Sequence, residues 1–229
     1  PPKFGVGDAI EYGIAIYSLI QIKKFDKIGI AFTGRHYYLF KEFFGFIDIY
    51  PSIISHNDLN DYDTVFHITL EIGALKYQKY KRSNIAQEIC NYFKVPLIDY
   101  KKEINLAQKD NINTISIFPI STSFIRSMPL QIVEEVIETF RSEYKIKIIF
   151  DNSDYSRYLL QNIKNNNFTP VEPKNIESLI KEISKIKFGI FIDSGPLHLA
   201  KCFNKKGILV ETSVSSEVLL YNSKNIISA

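Results

Sequence analysis

FGIFIDSGPLHLA occupies residues 188–200. Its opening run, Phe188 to Ile192, is apolar at nearly every position, as a strand covered on both faces requires. The run stops at Asp193. Ser194 and Gly195 follow, then Pro196, which suits a first helical position because the N–H it lacks would have no partner there. The stretch therefore reads as strand, tight turn and helix, with Asp193, Ser194, Gly195 and His198 at the mouth of the turn. In an open parallel sheet, ligands bind beyond the carboxyl ends of the strands. With Gly195 at the cap, backbone can approach a ligand closely. The first-turn N–H groups of Leu197 and His198 are then expected to point at the crevice, with the helix dipole behind them, and the His198 side chain to donate to an anion. Asp and Ser ahead of a Pro-initiated helix are also ordinary capping residues. Taken alone, the stretch leaves both readings open.

The same alternation extends along the chain. Residues 27–33, 47–51 and 63–69 read as strands, 36–46 and 83–95 as helices, the second with apolar residues at helical spacing (Ile85, Ile89, Tyr92, Phe93). A polar stretch, 99–113, interrupts the periodicity and is the best linker. Beyond it, 114–120, 145–151, 188–192 and 207–211 read as strands, and 129–144, 154–165, 175–187 and 196–203 as helices, with Pro129 in a first-turn position. Continuous apolar strands separated by helices imply a parallel sheet with both faces covered. Near the front, FGVGDAIEYGIAIYSLIQI (4–22) reads as a loop followed by a helix from about Ala9 to Ile22, apolar nearly all round and so buried. A strand normally precedes such a loop in an α/β domain, and this sequence starts too late to contain one.

The composition narrows the function classes. The chain has 229 residues, 45% of them hydrophobic and 23% charged, as in soluble globular proteins. A net charge of +3 is too small to argue for nucleic acid, though it suits an anionic substrate or an anionic membrane surface. The two cysteines, Cys90 and Cys202, give neither a metal spacing nor a disulfide framework and read as buried thiols of a reducing compartment. No apolar run reaches membrane-spanning length, and the first residues lack the shape of a signal peptide, so a cytoplasmic protein is expected. A dehydrogenase fingerprint is absent, because GVGDAIEYG (5–13) is not G-x-G-x-x-G. Asp61 and Asp63 form an Asp-x-Asp triplet of the kind that can hold a divalent ion, but it precedes an apolar strand instead of ending one.

DSGPLHLA (193–200) resembles the signature of glycosyltransferase family 9, the bacterial heptosyltransferases, in which an Asp-Ser/Thr-Gly-x-x-His segment meets the diphosphate of a nucleotide-sugar donor. Three more stretches are similar to that family. FGVGDAIEYGIAIYSLIQIKK (4–24) looks like its opening loop and helix, IFPISTSFIRSMP (117–129) like the hydroxyl-rich turn opening its second domain, and IIFDNSDYSRYLL (148–160) like its nucleoside-side turn. The resemblance covers about residues 1–220. It departs at Arg126, where the family has Lys, at Lys201, where a small residue is usual, in the missing glycines of 148–160, and in the absence of Gly-Pro after the last strand.

The resemblance implies a GT-B-like α/β fold: two Rossmann-like β/α/β domains with parallel sheets facing across a cleft. The expected domains are residues 1–108 on the acceptor side and 109–229 for the nucleotide sugar. It implies an inverting, metal-independent transfer of a sugar, a heptose by the family, from a nucleotide-diphosphate donor (ADP-heptose) to lipopolysaccharide core or another glycan. No cofactor and no nucleic-acid partner are expected, and peripheral contact with the cytoplasmic face of the inner membrane is compatible with it. Asp8 takes the role of general base for the acceptor hydroxyl, with Gly7 beside it on the acceptor-side loop. Ser121, Thr122, Arg126, Asp154, Asp193, Ser194, Gly195, Leu197 and His198 take the donor side. A second expectation, of another class, is a non-catalytic nucleotide-sugar-binding protein of the same fold.

Overall fold

The apolar runs of the second half become neighbouring parallel strands. In a computed structural model, which describes residues 5–31, 36–50, 54–66, 84–102, 113–221 and 223–229, the chain divides into two compact units, Pro1–Tyr100 and Lys101–Ala229. Most of the expected linker, 103–112, lies outside the described residues.

In the first unit, helix α1 (Val6–Gln21) is buried along most of its length, as its all-round apolar sequence requires. It begins three residues before the expected Ala9, which puts Gly7 and Asp8 inside the first turn. Gly5 is the extended N-cap, and the Asp8 carboxylate accepts its backbone N–H at 3.0 Å. Glycine has no side chain to return the bond, so only one half of a capping box forms. Strand β1 (Gly29–Ala31) pairs in parallel with β2 (Asp48–Tyr50), and α2 (Tyr37–Phe43) lies between them in sequence. Helix α3 (His56–Leu59) and helix α4 (Ile85–Tyr92) follow, and α4 packs on α1. Phe44 rests against α1 at Gly13, where any Cβ would occupy the space of the ring. Two expectations change here. Residues 63–66 form no strand, and Val65 and Phe66 are exposed, Phe66 meeting the rings of Phe25 and Phe93 edge-on; the remainder, 67–69, lies outside the described residues. Tyr92 is also exposed; of the expected stripe Ile89 and Phe93 are buried, and Ala86, Glu88 and Cys90 are buried with them.

The second unit holds a six-stranded sheet, all parallel. Its strands are β3 (Thr114–Ile117), β4 (Lys145–Ile149), β5 (Phe168–Val171), β6 (Phe188–Phe191), β7 (Lys206–Leu209) and β8 (Ile226–Ser228). Their spatial order is β5-β4-β3-β6-β7-β8, the doubly wound order of dinucleotide-binding folds. Helices α5 (Leu130–Phe140), α6 (Asp154–Asn162), α7 (Ile176–Lys185) and α8 (Gly195–Cys202) connect the strands, and α9 (Ser216–Leu219) precedes β8. Alternate strand residues Ile115, Ile117, Ile146, Ile148, Ile190 and Ile192 form one core with Val133, Ile137 and Leu159 of α5 and α6. Phe191 lies on the opposite face, over Gly189 and Gly207, and stacks on Phe118 of the neighbouring strand end (centroids 5.1 Å, planes 14° apart).

Strands β5 and β8 and helix α9 carry no clear signal in the sequence. β5 contains Pro170, which a ladder tolerates at an edge, and β5 is an edge strand. β8 is the other edge and only three residues long. Pro129 proves to be the N-cap of α5, one position before the expected helical start. Cys90 and Cys202 are both free and buried.

Candidate functional site

The order of the sheet creates the site. β3 and β6 are neighbours, paired from Ile115↔Phe188 to Ile117↔Ile190. The chain leaves β3 towards β4 on one side and leaves β6 towards β7 on the other. The loops beyond their carboxyl ends therefore diverge, and this is the switch point at which open α/β sheets form their ligand crevice. One wall is the loop 118–129; the other is 192–198.

The first wall is held by its own hydroxyls. Ser121 N–H donates to Ser127 Oγ at 3.0 Å, and Met128 N–H to the Pro119 carbonyl at 2.8 Å. Ser127 is buried and closes the turn, a role that no sequence signal beyond the run of serines and threonines singled out. This clasp leaves Thr122 exposed and carries a single 3₁₀ turn, Phe124–Arg126, that returns Arg126 towards the second wall.

The two walls meet at Arg126 and Asp193. Arg126 Nη1 donates to Asp193 Oδ2 at 3.1 Å, while Nη2 donates to Thr122 Oγ1 at 3.3 Å. Ser121 Oγ donates to the Asp193 carbonyl oxygen at 3.3 Å. Four of the residues expected on the donor side are thus brought together by hydrogen bonds.

The second wall corrects the capping picture. Ser194, not Gly195, is the N-cap of α8, which moves Gly195 to the first helical position and Pro196 to the second. Yet neither candidate capping side chain caps. Asp193 is turned to Arg126, and Ser194 Oγ donates backwards to the Ile192 carbonyl at 3.3 Å. The expected free N–H of Leu197 is not free, since it donates to the Ser194 carbonyl at 3.1 Å. Pro196 has no N–H. Gly195 N–H, at the first helical position, has no protein acceptor among the described residues. His198 follows one turn in, half-buried.

Asp154 stands apart from this cluster. Ser153, not Asp154, caps α6, accepting from Ser156 N–H at 3.2 Å. The Asp154 side chain is almost wholly exposed and ion-paired with Arg157. It does line an open depression of about 570 Å³, whose walls include Phe124, Ile125, Leu130, Tyr155 and Tyr158. Tyr155 stacks on Tyr158, meets Phe124 edge-on, and donates its hydroxyl to the Met128 carbonyl at 2.7 Å. Burial, then the neighbouring Tyr158, pushes the Tyr155 phenol up. Gly7 and Asp8 belong to the other unit, at the start of α1, where Asp8 is half-buried. Asp61 and Asp63 lie beside Tyr62, whose hydroxyl donates to Asp48 at 3.0 Å. Among the described residues no group of three or more His, Cys, Asp or Glu side chains is placed to hold a metal ion.

No protein-family model matches the sequence, and no curated protein matches it. Solved structures do. E. coli heptosyltransferase WaaC, in its structure with ADP-2-deoxy-2-fluoro heptose, superposes with a TM-score of 0.64 at 11% identity, over 99% of this chain and 90% of that one. The chain has a family 9 heptosyltransferase-like fold. A glycosyltransferase family 9 protein of Veillonella parvula gives 0.69 at 10% identity, over 99% of this chain and 83% of that one. E. coli ADP-heptose LPS heptosyltransferase II gives 0.59 at 8% identity, over 98% and 86%. At such identities the likeness is one of fold.

Proposed function

We propose that this protein is an inverting glycosyltransferase that moves a sugar, a heptose by the fold's relatives, from a nucleotide-diphosphate donor to a lipopolysaccharide core or another surface glycan. The observation that carries this reading is the guanidinium held at the switch point of the second unit: Arg126, fixed between Thr122 and Asp193, beside a helix start with no side-chain cap. A diphosphate needs fixed donors, and the guanidinium fork and the uncapped helix start supply them. WaaC was crystallised with ADP and with an ADP-heptose analogue, and we extend that donor class to this chain. The chain is read as two Rossmann-like domains, residues 1–108 and 109–229, and as a cytoplasmic protein.

In the reaction, the acceptor oxygen attacks the anomeric carbon as the bond to the donor diphosphate breaks on the opposite face. Asp8 takes the acceptor proton. The negative charge that develops on the departing diphosphate is stabilised by Arg126, the hydroxyls of Ser121 and Thr122, the Gly195 N–H and His198, in the manner of preorganised donors. Asp154, beside Phe124 and Tyr155, takes the nucleoside end. The reading needs no metal ion, so activity should survive a chelator.

The test is donor binding and transfer. Calorimetry with ADP and ADP-heptose, followed by transfer to a lipopolysaccharide core acceptor, should show both activities in the wild type and their loss in Arg126→Ala. Wild-type protein that binds neither nucleotide would reject the reading. A second reading, donor binding without transfer, draws on the engagement of Asp8 with the Gly5 N–H, a purely structural use of that carboxylate. Donor binding with no turnover across acceptors would favour it.

A further inference from the structure

We propose that Asp193 is a positioning residue that acts through Arg126 and does not itself bind the donor; this rests on the reading of the crevice as a diphosphate site. The Asp193 side chain is 9% exposed, and Oδ2 is committed to Arg126 Nη1 at 3.1 Å. Its backbone is committed too, since its carbonyl oxygen accepts from Ser121 Oγ at 3.3 Å. Arg126 keeps a third of its side chain exposed. Its guanidinium is a rigid planar fork with more N–H donors than the two bonds to Asp193 and Thr122 consume. The buried carboxylate thus sets the plane of the fork, and the unused N–H groups remain for a doubly anionic ligand.

Charge argues the same way. A carboxylate in direct contact with a diphosphate repels it, whereas a carboxylate paired behind a cation is neutralised and orders that cation. Arginine at this position is suited to both tasks at once. Lysine is a point charge on a flexible stem, and it cannot hold Asp193 and present a fixed second edge. Position 126 is therefore coupled to position 193 across the two walls of the crevice.

The sign of one substitution separates this role from simple proximity. Removing an acid near an anionic ligand should tighten binding; removing the residue that aims Arg126 should weaken it. The experiment measures ADP and inorganic pyrophosphate affinity by calorimetry in the full chain, for Asp193→Ala, Asp193→Asn, Arg126→Ala and the double variants. We expect Asp193→Ala to weaken both ligands by roughly fivefold or more, and by less than about twofold once Arg126 is already alanine, as coupled neighbours do. Asp193→Asn keeps an acceptor oxygen for the fork and should recover part of the loss. It also carries the test if the alanine variant does not fold. Unchanged or tighter binding in the Asp193 variants, or losses that add independently, would overturn the inference and leave the diphosphate site standing. Wild-type protein that binds neither ADP nor pyrophosphate would overturn both.

Discussion

The ammonium of Lys201, on the buried side of α8, donates to the carbonyl oxygen of Leu219 at 2.8 Å and lies 4.5 Å from the centre of the Tyr221 ring. The residue is only 5% exposed. A lysine where the resemblance leads to the expectation of a small residue is thus accommodated by a carbonyl and an aromatic face, both from the segment around α9. Lys201→Met keeps the stem's volume and deletes the charge and its bond. We expect a loss of about 1–3 kcal/mol, the usual cost of leaving a buried carbonyl without its donor, read by urea unfolding. Amide exchange in residues 216–221 should accelerate more than exchange in β3 or β4.

Asp8 offers a clean separation of structure from chemistry. Asn at this position still presents an oxygen to the Gly5 N–H, so α1 keeps its bond, but it is no base. Asp8→Asn should leave stability within about 0.5 kcal/mol of wild type and lower transfer by roughly 10²- to 10⁴-fold, the usual contribution of a general base. Unimpaired transfer by Asp8→Asn would remove Asp8 from the mechanism.

The thiols give a prediction in pH. Burial pushes the Cys90 thiol up, against a smaller opposing effect of the Ser18 hydrogen bond. A group whose native pKa is raised favours the folded state fully below its unfolded pKa. That contribution is lost as pH climbs through the native value, so stability from this group falls in the alkaline range. Native protein should react slowly with a thiol reagent at neutral pH at both Cys90 and Cys202, and both should react at once in denaturant. A colorimetric thiol titration checks this.

Gly207 sits beside Gly189 in the β6–β7 ladder, and a Cβ there would crowd the Gly189 carbonyl oxygen and lie 2.8 Å from the Phe191 ring. Gly207→Ala should therefore destabilise by about 1–3 kcal/mol through overpacking. Phe191 stacks on Phe118 at the end of β3, so loss of donor affinity should accompany the loss of stability. Thermal unfolding and ADP calorimetry on the same variant measure the two effects.

Several features of the site were legible in the chain. The strand at 188–191 and a helix expected from Pro196, one residue after its actual start, follow from an apolar run and Pro196, while the hydroxyl-rich turn with Arg126 was read through the family resemblance. The edge strand at 168–171 was not legible, because FTPV is short, half-polar and interrupted by Pro170, features an edge tolerates and a central strand does not. The position of Asp8 inside α1 was missed for a different reason: the helix start is fixed by a bond from Asp8 back to Gly5, and both are compatible with a loop until the bond forms. The exposed 63–66 segment shows the converse error, since apolar residues at strand spacing specify a strand only where a sheet receives them.

What the sequence by itself determined is local: which runs are buried, where chains turn, and that Asp193, Ser194, Gly195 and His198 stand at a strand–helix junction. Periodicity and turn chemistry act over a few residues, and those are neighbours along the chain. Whether Asp193 capped its own helix or turned to a distant partner was decided by the tertiary structure. The order β5-β4-β3-β6-β7-β8 brings the end of β3 against the end of β6, and only then does Arg126 reach a carboxylate 67 residues away. Asp193 then has a partner better than the backbone N–H groups of its own helix. The cap is left unmade, because a buried carboxylate gains more from a guanidinium than from a neutral donor.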